Sequence, residues 1–392
     1  MTLPDITLTA HFAGGDADLS QHVRLSSWSV SRGSSAPSMT GLISDPGSFT
    51  ATLSNRARDL DPAFTTGPYF GDLVPGVGMD LTATWAATPH PLFTGTNTKW
   101  PQIYPYQRVD QITQIECADA VRVLARAQLV DIFPRQLTGA RIQAIVTASG
   151  WPGTFTGDGG TAYVPFFGDG QSASTAWSMM ADACSAEWGL LIVANDGSLV
   201  FLDRVSAAAY AGTSVATFGD GGGTELPFTD VIVQFDDERI VNDADLLFDK
   251  FGTKAHAEDL TSQGAAWGKL SWQQNFLLSS GPLARSYVHE IVRRYKDPTI
   301  RIEQLVVKPQ RDPDNLWPAV LSLELGQMIS VKLTPMGGGA RIERDCYIRH
   351  IQHDQNDGLW QTTLAVDDKP LSTIVAFMDD GHLMDGNTLM SF

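Results

Sequence analysis

Two histidines three positions apart are the side chains whose spacing could bind a metal ion. His350 and His353 lie in residues 346–353, whose pattern predicts a β-strand before a turn at residues 356–358. Imidazole nitrogens bind zinc and related ions, but residues three apart in a strand point to opposite faces. Both rings could reach one ion only if the chain bends there. We therefore interpret them as ordinary strand residues and predict no metal ligands.

Other candidate motifs are incomplete. In residues 264–269 a glycine precedes a Gly-Lys pair, but a phosphate-binding loop needs one more residue between its glycines and a hydroxyl after the lysine, where this chain has Leu270. The sequence contains no motif of a zinc protease, a serine hydrolase or a dinucleotide-binding fold. Several Asp-Gly pairs lack the alternating oxygen ligands and closing glutamate of a calcium loop, and they predict turns; they include those at Asp158, Asp169, Asp196, Asp220 and Asp357. We predict no catalytic or cofactor-binding residues, no cofactor and no enzymatic activity.

Neighbouring carboxylates leave one enzymatic alternative open. They occur at residues 236–238 and 367–368, and a glycosidase needs only two carboxylates about 5–10 Å apart. A cell-wall hydrolase is therefore an alternative. Ten tryptophans could likewise form a sugar-binding platform, but Trp177 and Trp188 fall on the apolar stripe of a predicted helix, which favours core packing.

Composition limits the classes of partner. The chain has 392 residues, 43% hydrophobic and 18% charged, as in a folded protein of several domains. Its net charge of −17 opposes sequence-specific binding to nucleic acid. A wall that does not bind DNA would suit a passage for it, although solubility alone would also explain the charge.

Cysteine usage and hydropathy predict the compartment. Three distant cysteines predict buried thiols in a reducing cytoplasm and no disulfide framework. The N-terminus does not resemble a signal peptide. No apolar stretch reaches the ~18 residues that span a bilayer, so we predict no membrane span.

The elements that must position any site are mainly strands. Alternating polarity predicts strands at residues 6–12, 49–54 and 79–85, with Gly/Pro turns between them, as in a sandwich or small barrel. Further strands are predicted at residues 230–235, 302–307, 327–333, 346–353 and 360–366. Helical spacing predicts helices at residues 115–129, 174–188 and 281–296, with Gly189 capping the second. The turn at residues 195–197 predicts a hairpin of residues 190–193 and 199–202.

A series of short segments carries a family resemblance. They are residues 28–33, 46–56, 61–62, 73–76, 92–95, Trp100, 115–124, 187–193 with 196–201, 262–268, 325–326 and 348–363. In this order and spacing they resemble the minor tail proteins of phages that infect actinobacteria, over about residues 20–370. Trp267 departs from the tyrosine that is usual in the family. The chain ends near residue 392 without the appended enzymatic domain of many relatives, so we expect no digestion of cell wall.

The resemblance implies a baseplate hub of a siphovirus tail tip, located in the virion and assembled in the host cytoplasm. Such hubs are homotrimers with two tail-tube-like β-barrels per subunit, so that three subunits match a sixfold tail tube. The implied partners are the distal tail protein ring, the tape measure protein and other tip proteins. A sixfold distal tail ring, a tail-associated hydrolase and a glycan-binding module are the alternatives.

We therefore expect a mixed, mainly β, multi-domain fold that combines two barrels with a small helix-hairpin α/β domain. The expected divisions are an N-terminal barrel at residues 1–130 and an α/β domain at 131–205. A second barrel would comprise residues 206–240 and 300–370, with an inserted α/β segment at 241–299. Residues 371–392 would form a C-terminal arm that orders on a partner.

Overall fold

The computed structural model describes residues 3–106, 110–130, 132–166, 173–248 and 252–368. The described residues up to Ala118 form strands and loops, apart from a 3-10 turn at Ser20–His22. These strands are β1 (Asp5–Phe12), β2 (Gly15–Asp18), β3 (Val23–Gly33), β4 (Leu42–Ile43), β5 (Asp45–Ser54), β6 (Gly78–Trp85), β7 (Thr88–Lys99), β8 (Gln102–Ile103) and β9 (Ile112–Ala118).

The middle of the chain alternates helices with short strands. They are α1 (Ala120–Leu124), β10 (Gln128–Leu129), β11 (Gln136–Leu137), α2 (Thr138–Ser149), β12 (Phe155–Gly157), β13 (Tyr163–Val164), β14 (Ser174–Thr175), α3 (Ala176–Glu187), β15 (Leu190–Val193), β16 (Leu199–Leu202) and α4 (Arg204–Tyr210).

The rest of the described chain returns to longer strands. They and the helices between them are β17 (Ser214–Gly219), β18 (Asp230–Gln234), β19 (Asp243–Phe248), β20 (Thr253–Glu258), α5 (Leu260–Gln263), β21 (Ser271–Phe276), α6 (Gly281–Tyr295), β22 (Arg301–Val307), α7 (Pro313–Leu321), β23 (Met328–Leu333), β24 (Ile342–Asn356) and β25 (Leu359–Asp368). The C-terminal arm expected at residues 371–392 lies outside the described residues.

The predicted fold class is confirmed, because strands hold 43% of the chain and helices 20%. The largest sheet follows the order β18-β22-β25-β24-β3-β5-β9-β7-β6-β1-β2. Its strands are antiparallel except where β17 joins β23 in parallel beside β24. No closed barrel occurs among the described residues. The expected pair of barrels is instead a pair of sheets that share one strand and surround separate cores.

The N-terminal β module consists of β1–β3 and β5–β9. Its strands form because every second side chain is apolar: in β5, Phe49, Ala51 and Leu53 are buried, and the threonines between them are more exposed. One hydrophobic core collects the inward side chains of these strands. The strands predicted at residues 6–12, 49–54 and 79–85 are confirmed by β1, β5 and β6.

The C-terminal β module consists of β17, β18 and β22–β25 and surrounds a second core. Its strand β24 also belongs to the N-terminal module. Residues 342–347 of β24 pair with β23, whereas residues 350–355 pair with β3. The register along β25 shifts between Ile348 and His350, at the point where the neighbour of β24 changes. A β-bulge bends a strand locally, which lets one strand serve two sheets.

Helix α7 joins the two cores from the other side. Leu316 and Val320 lie in the core of the C-terminal module, whereas Trp317 and Leu321 lie in that of the N-terminal module. These two pairs repeat at helical spacing and therefore occupy two apolar stripes of one helix. The sequence did not predict α7, because two prolines, at positions 313 and 318, fall within its nine residues.

The predicted hairpin is confirmed, and its first strand is buried on both faces. In β15, Leu190 and Ile192 pack in the core of the C-terminal module, and Leu191 and Val193 pack against α2 and α3. The hairpin extends into a four-stranded sheet of order β12-β16-β15-β4, in which β4 comes from the first fifth of the chain. A strand covered on both faces is continuously apolar, as this one is.

The helix predicted at residues 174–188 is confirmed as α3, but its cap is not Gly189. Trp188 itself adopts the left-handed conformation that ends the helix, with φ of 58°. Gly189 is needed for a different reason, because a Cβ there would lie 2.5 Å from the carbonyl oxygen of Leu202.

The helix predicted at residues 115–129 is confirmed only over residues 120–124 and is wrong on both sides of them. Residues 112–118 form β9, which pairs with β5 and β7, and only Ala120–Leu124 is helical. Asp119 ends the strand and starts the helix, since its carboxylate accepts hydrogen bonds from the amides of Val121 and Gly47. Strand pairing at two edges outweighs the helical spacing of the apolar residues.

The helix predicted at residues 281–296 is confirmed as α6. Its apolar face packs on the three-stranded sheet β20-β19-β21, and Tyr287 stacks on Trp188 with ring centroids 4.0 Å apart. No helix among the described residues is long and apolar enough to cross a membrane.

Candidate assembly surface

The two histidines of the possible metal motif lie on opposite faces of β24. His350 Nε2 is 2.8 Å from Ser31 Oγ on the half-exposed face. His353 is buried, with Nδ1 2.9 Å from Thr362 Oγ1. Burial, with a contribution from the Arg32 charge, lowers the pKa of His353 to about 3. His353 is thus a neutral core residue, and the structure does not bring the two rings together.

The other candidate residues have structural contacts. Lys269 of the Gly-Lys pair lies 3.1 Å from a carboxylate oxygen of Asp243. One carboxylate of each neighbouring group pairs with an arginine: Asp236 with Arg301 at 2.8 Å, and Asp367 with Arg239. Among the Asp-Gly pairs, Asp357 and its glycine form a turn with positive φ, and Asp169 lies outside the described residues.

Tryptophans from β3, α7 and β25 meet in the core of the N-terminal module. Trp28, Trp317 and Trp360 are buried. Trp360 makes edge contacts to both of the others, with ring centroids 4.7 and 5.0 Å apart. Buried indoles are not available to stack on a sugar, so these tryptophans are core residues.

Two loops meet at one end of the N-terminal module. Residues 55–77 connect β5 to β6, and residues 100–111 lead from β7 to β9, of which 107–109 lie outside the described chain. Both begin at the same edge, because Ser54 pairs with Ile112 and Gly78 pairs with Thr96.

Amide side chains fasten these two loops to each other. The Asn55 side chain donates to Gln102 Oε1 at 2.7 Å and accepts from the amide of Leu60 at 2.9 Å. Gln102 Nε2 in turn donates to the carbonyl of Leu60 at 2.7 Å. Side chains therefore provide the hydrogen bonds of the loop backbone that strand pairing would provide in a sheet.

Asp61 is the charged centre of the longer loop. Its side chain is 1% exposed and accepts from Tyr104 at 2.6 Å, from the amide of Ala63 at 2.9 Å and from Arg58 at 2.9 Å. Burial alone would raise the pKa of Asp61, but these three hydrogen bonds outweigh it and the pKa is lowered. The carboxylate is thus ionised and holds both loops in one arrangement.

Apolar contacts attach the loops to the core. Leu60, Leu73 and Val77 are buried with the inward side chains of the sheet. The Tyr69 ring lies 5.1 Å from that of Phe12, and the Trp100 indole donates to the carbonyl of Val74 at 3.1 Å. The loops are therefore fixed parts of the fold.

The outer side of the same loops exposes large apolar side chains. We define the loop patch as Phe70, Val74, Ile103, Tyr104 and Tyr106, which are 50%, 51%, 41%, 51% and 102% exposed. A cluster of exposed apolar residues on a rigid surface marks an interaction site. The patch was not predicted from the sequence, although the four consecutive residues Ile-Tyr-Pro-Tyr at 103–106 are a signal for it.

A shallow groove of about 670 Å³ adjoins the patch. It runs from Lys99 and Pro101 across β9, β5 and β3 to residues 354–356. The β24–β25 turn thus lies near the loops, and Leu359 beyond it is 52% exposed. This end of the molecule offers a groove of mixed polar and apolar lining and exposed apolar loop side chains, which is the composition of a protein–protein interface.

Replacement of Asp61 by asparagine is expected to lower the free energy of unfolding by about 1.5–3 kcal/mol at pH 7, since charged hydrogen bonds are lost. The folded pKa lies below the unfolded one, so this contribution is complete above about pH 4 and is lost as the pH falls through the folded value. Denaturant titrations of both proteins between pH 7 and pH 2 measure the difference. A difference that grew on acidification would contradict this assignment.

Comparisons with known proteins identify the fold. No family model and no curated protein sequence matches the chain. Solved structures that match it over nearly its whole length include three tail proteins. A tail protein from Neisseria meningitidis MC58 has a TM-score of 0.59 at 12% identity, with 93% of this chain and 96% of that chain covered.

The other two are prophage proteins. The 43 kDa tail protein of prophage MuSo2 from Shewanella oneidensis has a TM-score of 0.57 at 15% identity, with 93% and 98% covered. Prophage tail protein gp18 from Listeria monocytogenes EGD-e has a TM-score of 0.54 at 9% identity, with 94% and 97% covered. This chain therefore has the fold of phage tail proteins, from β1 to the end of the C-terminal module.

Proposed function

We propose that the chain is a structural hub protein of a phage tail tip, without catalytic activity, which connects the sixfold tail tube or distal tail ring to threefold tip components. The observation that carries this proposal is the presence of two β modules in one chain, joined through β24. The tail-protein fold supports a structural role in the virion tail. The actinobacterial phage origin and the siphovirus type belong to the same proposal.

The proposed assembly is a trimer. Three chains with two β modules each would present six modules to a sixfold ring. The outer strands β2 and β18 end the large sheet and leave backbone groups for a neighbouring chain to pair with. The same proposal includes the α/β units at residues 131–205 and 241–299 and the arm at residues 371–392.

The loop patch is the proposed contact to the adjoining ring, because rigid loops at one end of a β module face along the tail axis when modules stand side by side. The negative charge of the chain supports a passage wall that does not retain DNA or the tape measure protein. The passage would open when the subunits change from one packing arrangement to another.

The copy number tests the trimer. Native mass spectrometry or scattering of the purified protein, or counting of copies in images of the particle, is expected to give three. A closed ring of six copies would instead identify a distal tail ring. Sustained release of fragments from host cell wall would establish a hydrolase, and retention of host glycans on the immobilised protein would establish a receptor module.

A double substitution tests the loop patch. Phe70→Ser with Tyr106→Ser is expected to weaken binding to the distal tail ring of the same virion by about 30-fold, or about 2 kcal/mol, as for residues at the centre of an interface. Surface plasmon resonance measures this change. The matched control is Val205→Ser with Leu260→Ser, since these side chains are 63% and 69% exposed and lie outside the patch. Equal binding by both double variants would remove the patch from the proposal.

A further inference from the structure

We propose a site for a divalent transition-metal ion on the polar face of the β19–β20 pair. Asp243, His256 and Glu258 each offer one ligand atom, and these atoms lie within 4.8 Å of one another. Zinc with ligands at ~2.1 Å in a tetrahedron would hold them ~3.4 Å apart. The side chains would therefore close by about 1 Å on binding.

Strand register places the three ligands together. Asp243 is paired with Glu258, and Asp245 with His256, in the antiparallel ladder of β19 and β20. Residues two apart share a face of a strand, so these side chains lie on one face of the sheet. The other face, with Ala244 and Leu246 buried, packs against α6. The backbone under the cluster is thus held by a hydrophobic core.

Asp243 supplies the second observation. It is 6% exposed, and its Oδ1 is buried without a hydrogen-bond partner. The other oxygen, Oδ2, accepts from Ser271 at 2.6 Å and lies 3.1 Å from Lys269 Nζ. His256 Nδ1 is 3.8 Å from Oδ1, beyond hydrogen-bond distance. A buried anionic oxygen without a donor is stabilised by a bound cation.

Asp245 orients the histidine. Its Oδ1 lies 2.8 Å from His256 Nδ1, and its Oδ2 lies 2.6 Å from Lys254. A carboxylate that is hydrogen-bonded to one imidazole nitrogen fixes the orientation of the ring. It also raises the basicity of the other nitrogen, which is the one left to bind the metal. Three carboxylates and the two lysines leave a local charge of −1 with the histidine neutral, so a divalent cation is attracted.

The donor set selects the ion. One imidazole nitrogen with two carboxylate oxygens suits zinc and its neighbours in the first transition series. Magnesium prefers oxygen ligands and retains its water, so it is expected to bind far more weakly. The sequence did not reveal the site, because its two halves look like ordinary alternation of polar and apolar residues until the strands pair.

Calorimetric titration of the EDTA-stripped full chain with zinc chloride tests the site. We expect one saturable zinc ion per chain and a rise in Tm that EDTA reverses. His256→Ala and Glu258→Gln, at exposed positions where folding is unaffected, are expected to weaken binding at least tenfold each. Asp243→Asn is expected to do the same if it folds. Magnesium chloride is the negative probe.

The matched control is His289→Ala, an exposed histidine on the neighbouring helix α6. Its zinc affinity is expected to equal that of the unchanged chain. The proposal is overturned if the unchanged chain shows no saturable zinc binding, or if His256→Ala and Glu258→Gln retain full affinity. It is also overturned if His289→Ala loses as much affinity as His256→Ala. None of these outcomes depends on the proposed function in the tail.

Discussion

Unfolding of a Trp317→Ala variant is expected to require about 3–5 kcal/mol less free energy than unfolding of the unchanged chain, the usual loss for a buried tryptophan that becomes alanine. Trp317 is fully buried on α7. Its ring lies 5.0 Å from Trp360 and 5.8 Å from Trp85. The substitution removes both of these ring contacts and leaves a cavity in the core of the N-terminal module.

The loss is expected to reach both β modules, because α7 belongs to both cores. Leu316 and Val320 anchor it to the C-terminal module, and removal of Trp317 frees its other stripe. Hydrogen exchange is therefore expected to accelerate in β1 and β6 as well as in β22 and β25. Acceleration in one module only would contradict a bridging role for the helix.

A conservative variant distinguishes the loss of side-chain volume from the loss of contacts between aromatic rings. Trp317→Phe keeps a ring in the cluster, and it is expected to cost less than half as much as Trp317→Ala. Trp177→Ala serves as a control, since Trp177 is only partly buried beside another core. Denaturant unfolding followed by fluorescence and by circular dichroism measures all three variants, and agreement of the two signals establishes whether one transition is observed.

Glu187→Ala is expected to lower the free energy of unfolding by a similar amount, about 3–5 kcal/mol, because it removes one partner of a buried polar cluster. Glu187 is fully buried at the end of α3. Its carboxylate accepts from Thr138 Oγ1 at 2.6 Å, from the amides of Thr161 and Ala162 at 2.9 and 2.7 Å, and from the Thr161 hydroxyl. Each of these donors would be left without an acceptor.

The same carboxylate connects separate parts of the fold. Arg204 Nε lies 3.9 Å from it, and the Arg204 guanidinium donates to Tyr287 on α6 at 3.0 Å. Tyr287 in turn donates to the carbonyl of Ala186 at 3.0 Å. We expect the variant to expose residues 161–162 to hydrogen exchange first.

Glu187→Gln is the matched control, because it preserves the shape of the side chain. It keeps the volume and one acceptor oxygen, but its amide group faces donors, so an intermediate loss of about 2 kcal/mol is expected. Glu258→Gln, at an exposed position, is expected to change the free energy of unfolding by less than 0.5 kcal/mol. A loss below 1 kcal/mol for Glu187→Ala would show that water replaces the carboxylate in the cluster.

The sequence predicted the elements whose pattern is local. Alternation identified β1, β5 and β6, the Asn-Asp-Gly turn identified the β15–β16 hairpin, and helical spacing identified α3 and α6. The sequence assigned β9 to a helix, because apolar residues in this region recur at helical spacing as well as at strand spacing. It missed α2, which has no side-chain cap hydrogen bond at its start, no acidic residue in its first turn and no basic residue in its last turn.

Long-range pairings could not be predicted from one sequence. The contact of β4 with β15 joins residues about 150 positions apart, and that of β3 with β24 joins residues more than 300 apart. The loop patch depends on such contacts as well, because Asn55 and Asp61 take their shape from residues 102–104. Glycine and proline residues predicted turns within residues 55–77, but they did not predict which other loop these residues would contact.

The shared strand β24 determines how the molecule would transmit force. The two sheets could rotate relative to each other only after the six residue pairs between β24 and β3 had broken. A load applied at one end of the chain therefore passes through β24 to the other end without an internal hinge. Any widening of a central passage would take place at the boundaries between neighbouring copies, with each copy tilting as one rigid body.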